Sequence, residues 1–270
     1  MTVMKRILMI CLLALLPLAG QAQDYYTIPV GDLETDLGGR FSLGVDKKLA
    51  KGLHLSVDGE LRMKDNFSAL GRWQIGADLS YKVNPYLKLG GGYIFIDKLK
   101  TSGAWSPRHR FYVDVTGGIR AGDWRFSLRE RLQLTHRNAD DMNVFQTNPN
   151  SLMLKSRFKV QYKGFQSVSP YAYVELRNVF NDPACTAKYN GTTFSDYVFT
   201  GYTDAYVNRL RGALGLEWKL SKQHALDFTL LGDYCYDKVI DTNAEGTKLK
   251  SITFERAFNT NICIGYKFSF

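Results

Sequence analysis

Apolar and polar residues alternate with a period of two along almost the whole chain. Over 71–83, Trp73, Ile75, Ala77, Leu79, Tyr81 and Val83 alternate with Gln74, Gly76, Asp78, Ser80 and Lys82. Over 53–63, Leu53, Leu55, Val57, Leu61 and Met63 alternate with His54, Ser56, Asp58, Glu60 and Arg62. The pattern recurs over 108–120, 124–137, 151–163, 206–220, 224–237 and 257–270, and helical spacing never competes over a comparable length. A period of 180° per residue places apolar side chains on one face and polar ones on the other, so these segments are predicted strands. Their length of about 10 to 15 residues exceeds the roughly 5 or 6 of soluble strands and suits a strand tilted through a bilayer, which needs about 9 to 11.

The connections alternate between short and long. Tight turns are predicted at Ala50-Lys51-Gly52, Asn84-Pro85, Ala121-Gly122-Asp123, Gly164 to Ser167 and Ser221-Lys222-Gln223, and longer polar loops at 64–70, 97–107, 138–150, 181–205 and 241–250. Short turns on one rim and long loops on the other are the layout of an outer-membrane barrel. Eleven clear strands are predicted, over 40–49, 53–63, 71–83, 86–96, 108–120, 124–137, 151–163, 169–180, 206–220, 224–239 and 251–270. The poorly patterned segment 25–37 is the candidate twelfth, because single-chain bacterial barrels have even strand numbers. The expectation is thus an all-β, antiparallel up-and-down transmembrane barrel of about 12 strands, with 10 to 14 as the range because 181–205 is long enough to hold another hairpin.

Residues 1–22 read as a signal peptide: Lys5 and Arg6 form a positive start, Ile7 to Leu18 an apolar stretch, and Gly20-Gln21-Ala22 a small-residue cleavage site. The barrel domain is then 23–270, exported to the bacterial outer membrane. The net charge of +9 falls to about +7 without that segment's two cations, and export argues against a nucleic-acid partner. Cys185, Cys235 and Cys263 are too few and too irregular for a disulfide framework or a zinc site. Cys235 and Cys263 share the inward parity on consecutive strands, but a turn at Asn243 to Gly246 puts them out of direct register, so free thiols are expected.

Aromatic residues strengthen the membrane reading. Trp124, Tyr162, Trp218 and Tyr81 sit beside the short turns on the apolar face, and Trp73, Phe111, Tyr234, Tyr236 and Phe258 lie toward the opposite ends. Two girdles of such rings match the two interfaces of a bilayer. In the last segment Phe258, Thr260, Ile262, Ile264, Tyr266, Phe268 and Phe270 share one face. This resembles the C-terminal signal read by barrel assembly machinery, with Ile264, Tyr266, Phe268 and Phe270 as its core and strand addition as the recognition mode.

Trp105-Ser106-Pro107-Arg108-His109-Arg110-Phe111 and Phe126-Ser127-Leu128-Arg129-Glu130-Arg131-Leu132-Gln133 resemble recurring segments of an uncharacterised outer-membrane barrel family of Bacteroidetes-type bacteria, domain of unknown function 2490. The strand–turn–strand at 40–63 and Lys222-Gln223-His224 are similar to that family as well. The resemblance implies fold and location. It brings no assigned activity and no functional residues.

Candidate chemistry is sparse: no catalytic residue, metal ligand set or cofactor motif emerges, and the chain is not expected to be an enzyme. His54 and Ser56 share a strand face, a spacing found in outer-membrane lipid hydrolases, but parity turns them toward the lumen, away from lipid. His109, His136 and His224 are isolated near strand ends. Asp32, Glu34 and Asp36, and Asp140-Asp141, read as solvated loop acids, since they lack the remaining calcium ligands. Gly90-Gly91-Gly92 lies mid-strand and signals close packing or curvature.

The informative set is the inward face. By parity it carries the cations Arg110, Arg120, Arg125, Arg129, Arg131, Arg137, Lys155, Arg157, Lys159, Arg177, Arg209 and Arg211. The acids on the same face are Asp58, Glu60, Asp78, Asp114, Glu175, Glu217, Asp227 and Asp233. Charges that leave water need partners or hydration. They either pair across a narrow lumen and plug it, giving a structural or surface-interaction protein, or line a passage favouring small anions. A lipid-modifying enzyme is a more distant third reading. Glu130 breaks the rule by falling on the apolar parity. Expected partners are outer-membrane lipid and, during biogenesis, the assembly machinery.

Overall fold

The computed structural model describes residues 30–100, 102–138 and 148–270; the signal segment and Asp140-Asp141 lie outside the described residues. The strands are β1 (Val30–Ala50), β2 (Leu53–Lys64), β3 (Ala69–Asn84), β4 (Leu87–Leu99), β5 (Trp105–Ala121), β6 (Trp124–Arg137), β7 (Asn150–Tyr162), β8 (Val168–Tyr189), β9 (Phe194–Lys219), β10 (His224–Thr242) and β11 (Leu249–Ser269). Each pairs with the next in antiparallel register, and β1 closes the barrel against β11.

The closing pair is parallel. The described residues form eleven strands rather than about twelve, because the described part of the segment expected as a separate first strand, 30–37, is the first half of β1. No turn intervenes at Gly38-Gly39. Pairing with β11 runs unbroken from Leu33↔Arg256 to Asp46↔Ser269, and β2 joins from Gly39 onward. Both glycines are required by close approach: a Cβ on Gly38 would meet the Met63 carbonyl oxygen at 2.6 Å, and one on Gly39 would run into the Phe67 ring. An odd number of alternating strands closes only if the first and last run the same way.

The tight turns do gather on one rim, the turn rim, and β1 and β11 both run toward it from the opposite, loop rim. The stretch 181–205 is not a loop. It prolongs β8 and β9, of 22 and 26 residues, into a two-stranded arm with repeated register shifts. The arm rests on the loop-rim end of β10 and β11 through Cys185, Ile240, Leu249 and Ile252, flanked by Phe194 and Tyr197.

Parity sorts the side chains as the alternation predicts. Outward residues such as Leu43, Val113 and Leu214 are 69%, 61% and 65% exposed, an apolar outer wall with no protein over it. Trp124, Trp218 and Tyr81 ring its turn-rim edge, with Trp124 5.0 Å from Tyr162 between ring centres. Trp73 against Phe95 (5.5 Å) and Tyr236 against Phe254 (4.2 Å) mark the loop-rim edge. Inside, Gly90 and Gly92 clear the β4 wall: a Cβ there would lie 2.7 Å from Asp114 Oδ1 or from the Tyr112 hydroxyl. The absent side chains make room for the Tyr112–Asp114 face that Arg131 grips.

Candidate functional site: the charged lumen

The lumen contains two cavities. The one toward the loop rim has a volume of about 1060 Å³, and the one toward the turn rim about 680 Å³. Arg40, Arg62 and Arg211 line both, so they stand at the partition.

Two carboxylates organise that partition. Asp233 on β10 accepts from Arg40 Nη2 (2.9 Å) and from Arg211 Nε and Nη2 (2.6 and 3.0 Å), with Arg209 3.7 Å away. Glu175 on β8 accepts from Arg129 (3.1 Å), Arg157 (2.7 Å) and Arg211 (3.3 Å). Register explains the convergence, since Arg129↔Arg157↔Glu175↔Arg211↔Asp233 form one rung across β6 to β10. Arg40 reaches Asp233 from β1 and also donates to Asn261 Oδ1 at 3.2 Å. Asp233 is 1% exposed and Glu175 4% exposed, so both carboxylates are screened from bulk water by the guanidinium groups around them. Charge-assisted bonds in such a setting are the strong kind, and removing one partner leaves a buried charge uncompensated.

The remaining predicted lumen residues divide between these halves. Asp114 takes both Arg131 nitrogens (3.1 and 2.6 Å), and the Arg131 guanidinium lies 3.7 Å from the Tyr112 ring centre. Arg157 stacks on Tyr173 at 4.2 Å and Lys159 on Tyr171 at 3.6 Å, contacts that stabilise desolvated cations. Arg177 donates to Asn208 Oδ1 at 2.7 Å and lies 3.6 Å from Asp237. Arg110 donates only to a hydroxyl, Thr135 Oγ1, at 3.2 Å. In the turn-rim cavity Asp227 accepts from the Tyr171 hydroxyl (2.8 Å), Glu217 from Gln161 (3.0 Å), and Asp58 and Asp78 line the wall; Glu60 is held by Arg62 at 2.5 Å. Arg120 is inward by parity but exposed at the turn rim, opposite Arg125.

Sequence reasoning missed part of the site. Arg40, Arg62, Arg72, Lys98 and Arg108 also face the loop-rim cavity. Arg40 was hidden because it stood at an expected strand start; counting parity back from Phe41 through Leu37 to Leu33 would have turned it inward. The acids Glu34 and Asp36, expected in a loop, lie on β1 and line the same cavity. Asp36 Oδ1 accepts the Asn66 amide at 3.2 Å.

Ser56 and His54 do not contact each other. Asp46 accepts the Ser56 hydroxyl (2.8 Å) and contacts His54 Nδ1 (3.0 Å), so the imidazole is not placed to take the serine proton. His109 contacts the Tyr93 hydroxyl, His136 contacts Asn150 and His224 contacts Tyr266, at 2.8, 2.9 and 2.6 Å. Among the described residues no group of three or more metal-ligating side chains converges. Cys235 faces Ala257 and Cys263 faces Thr229 across the β10–β11 pair, and all three described cysteines are unbridged. Glu130 stays on the outer wall, where it accepts the Ser156 hydroxyl at 2.6 Å. The outward members of β11, from Ile264 to Phe268, pair with β1 and β10; Phe270 stacks on Phe268, and the His224 ring tilts against it.

No curated protein matches the chain. Among solved structures it is similar to the outer-membrane expressed OmpT of Vibrio cholerae, at 12% identity and a TM-score of 0.33, over 75% of this chain and 60% of that one. A second similarity is to the siderophore receptor PirA from Pseudomonas aeruginosa, at 8% identity and a TM-score of 0.20, over 81% of this chain and 56% of that one. The chain thus spans about 60% or less of the length of either structure. The family model described as Protein of unknown function (DUF2490) matches residues 41–243, from β1 into the end of β10, and the chain belongs to that family.

Proposed function

We propose that this protein is a non-catalytic barrel of the bacterial outer membrane whose lumen is held shut at mid-height, leaving a cationic chamber open at the loop rim for surface interaction. The apolar outer wall and its two aromatic edges support the membrane placement. A cleaved leader over 1–22 and delivery through the assembly machinery belong to the same reading. One observation carries the closed lumen: Arg211 bridges Glu175 and Asp233, while Arg40, Arg129 and Arg157 bring β1, β6 and β7 onto the same two carboxylates. The network runs along the wall from β6 to β10 and on to β1, and with Arg40, Arg62 and Arg211 standing between the two cavities it supports a lumen closed at that height.

The second reading, a passive channel for small anions, draws on the loop-rim cavity, where thirteen cationic residues line the wall against seven acidic ones. Rings of cations attract anions into a pore only if the pore is continuous. Swelling of vesicles containing the purified barrel in isosmotic solutions of a small sugar or a small organic anion separates the two. The closed reading predicts swelling no faster than in protein-free vesicles. Swelling that rises with protein content, and more for the anion, would establish the channel instead.

A further inference from the structure

Two rungs of like charge line the loop-rim chamber, all of their members facing it except Arg131. Arg40↔Arg62↔Arg72↔Lys98 are direct cross-strand partners over β1 to β4, and Arg131↔Lys155↔Arg177↔Arg209 are direct partners over β6 to β9. Side chains so placed have Cβ atoms about 4.5 to 5.5 Å apart, and like charges directly opposite destabilise a sheet. Several members find carboxylates at the partition or beside it. Arg72, Lys98 and Lys155 find none among the described residues, and neither does Arg110, which lies two positions along β5 from Arg108. Arg72 bonds only the Gln74 side chain, and its Nε is buried without an acceptor. Ser106, the register partner of Lys98 at the end of that rung, is 0% exposed with its hydroxyl unpartnered.

Folding alone gives no reason to align these charges while leaving donors empty. A bound anion does: guanidinium forks and ammonium groups along the β3 to β7 arc of the cavity wall match the oxygens of a phosphate-type group. Four cations without carboxylates on β3, β4, β5 and β7 call for more than one negative charge, and about 1060 Å³ admits a ligand larger than a single oxyanion. We propose that the loop-rim chamber is a binding site for a soluble anion carrying two or more phosphate groups, held by Arg72, Lys98, Arg110 and Lys155. The proposal deepens the surface-interaction reading above. It is independent of whether the lumen conducts, since a site at the mouth of a channel would bind equally.

Calorimetric titration of the refolded barrel in detergent with inorganic pyrophosphate tests it, with succinate as the dicarboxylate comparison. Pyrophosphate is expected to bind saturably, at least tenfold more tightly than succinate, and more weakly as salt rises. In Arg72→Gln/Lys98→Gln its dissociation constant should increase at least tenfold. In Arg120→Gln/Arg125→Gln, which removes the same charge at the turn rim, it should change less than twofold. Without ligand, Arg72→Gln/Lys98→Gln should unfold at a higher temperature than the parent, since repulsion is relieved; this also confirms that the variant folds. Absence of saturable binding, equal affinity for succinate, or equal loss in both double variants would overturn the assignment.

Discussion

Asp233 illustrates how far a single side chain can be understood from its place in the alternation. Parity turns it inward, and it meets Arg211 because the two are register partners across β9 and β10. Its third contact, Arg40, comes from a strand that pairs with neither, and only closure of the barrel brings it there. The inward face of the cations on β5 to β9 is therefore legible in the sequence, and parity extended back from Phe41 turns Arg40 inward as well, whereas the alignment of Arg40, Arg62, Arg72 and Lys98 in one rung is not. Which residue each one meets is set by register and by closure of the barrel, and alternation encodes a face without saying what stands beside it. Glu130 is the converse case: its outward parity was legible, and the reason it is tolerated, a hydroxyl from Ser156 on the next strand, required the register. Ile75→Arg and Leu214→Arg, at positions 51% and 65% exposed, should each cost roughly 2 to 4 kcal/mol near the bilayer midplane, where nothing solvates the guanidinium. Ser56→Arg, facing the turn-rim cavity between Asp46 and Asp78, should cost much less. Urea unfolding in lipid vesicles measures both, and equal costs on the two faces would refute the placement of the wall in lipid.

Strand ends and pairings depend on forces that alternation does not report. The β10–β11 register was legible because a short polar turn at 243–248 leaves one way to align two apolar faces, and Cys235 and Cys263 are held apart as expected. The first strand was not legible. Gly38-Gly39 interrupts the apolar pattern and reads as a break, yet the glycines are there because Met63 and Phe67 crowd against the strand. Likewise the polar, irregular stretch 181–205 reads as a long loop with room for a hairpin, and its backbone stays paired through a series of register shifts as the extension of β8 and β9. The parallel seam is the most distinctive element-level feature, and it can be trapped chemically. With Cys185, Cys235 and Cys263 replaced by Ser, Leu37→Cys/Thr260→Cys places two thiols on directly paired residues of β1 and β11. A short bifunctional thiol reagent should join them within one chain and change the migration of the denatured protein. Leu37→Cys/Phe254→Cys, out of register by more than a strand turn, should remain unlinked. Cross-linking of the second pair but not the first would mean that β1 and β11 meet in another register.

At the level of the whole molecule the eleven described strands close into one barrel whose lumen holds two cavities. The charges then arrange themselves by height: a cation-rich chamber toward the loops, a cavity with acids and cations in balance toward the turns, and Arg211 between them holding Glu175 and Asp233 together. That partition is the central claim, and single-channel recording in planar bilayers tests it most directly. The wild-type protein should give no stable conductance step. Glu175→Gln/Asp233→Asn removes both carboxylates, leaves the arginines mutually repelling, and should give openings that favour anions over cations. A steady open state of the wild-type protein, or equal silence from the double variant, would contradict the account.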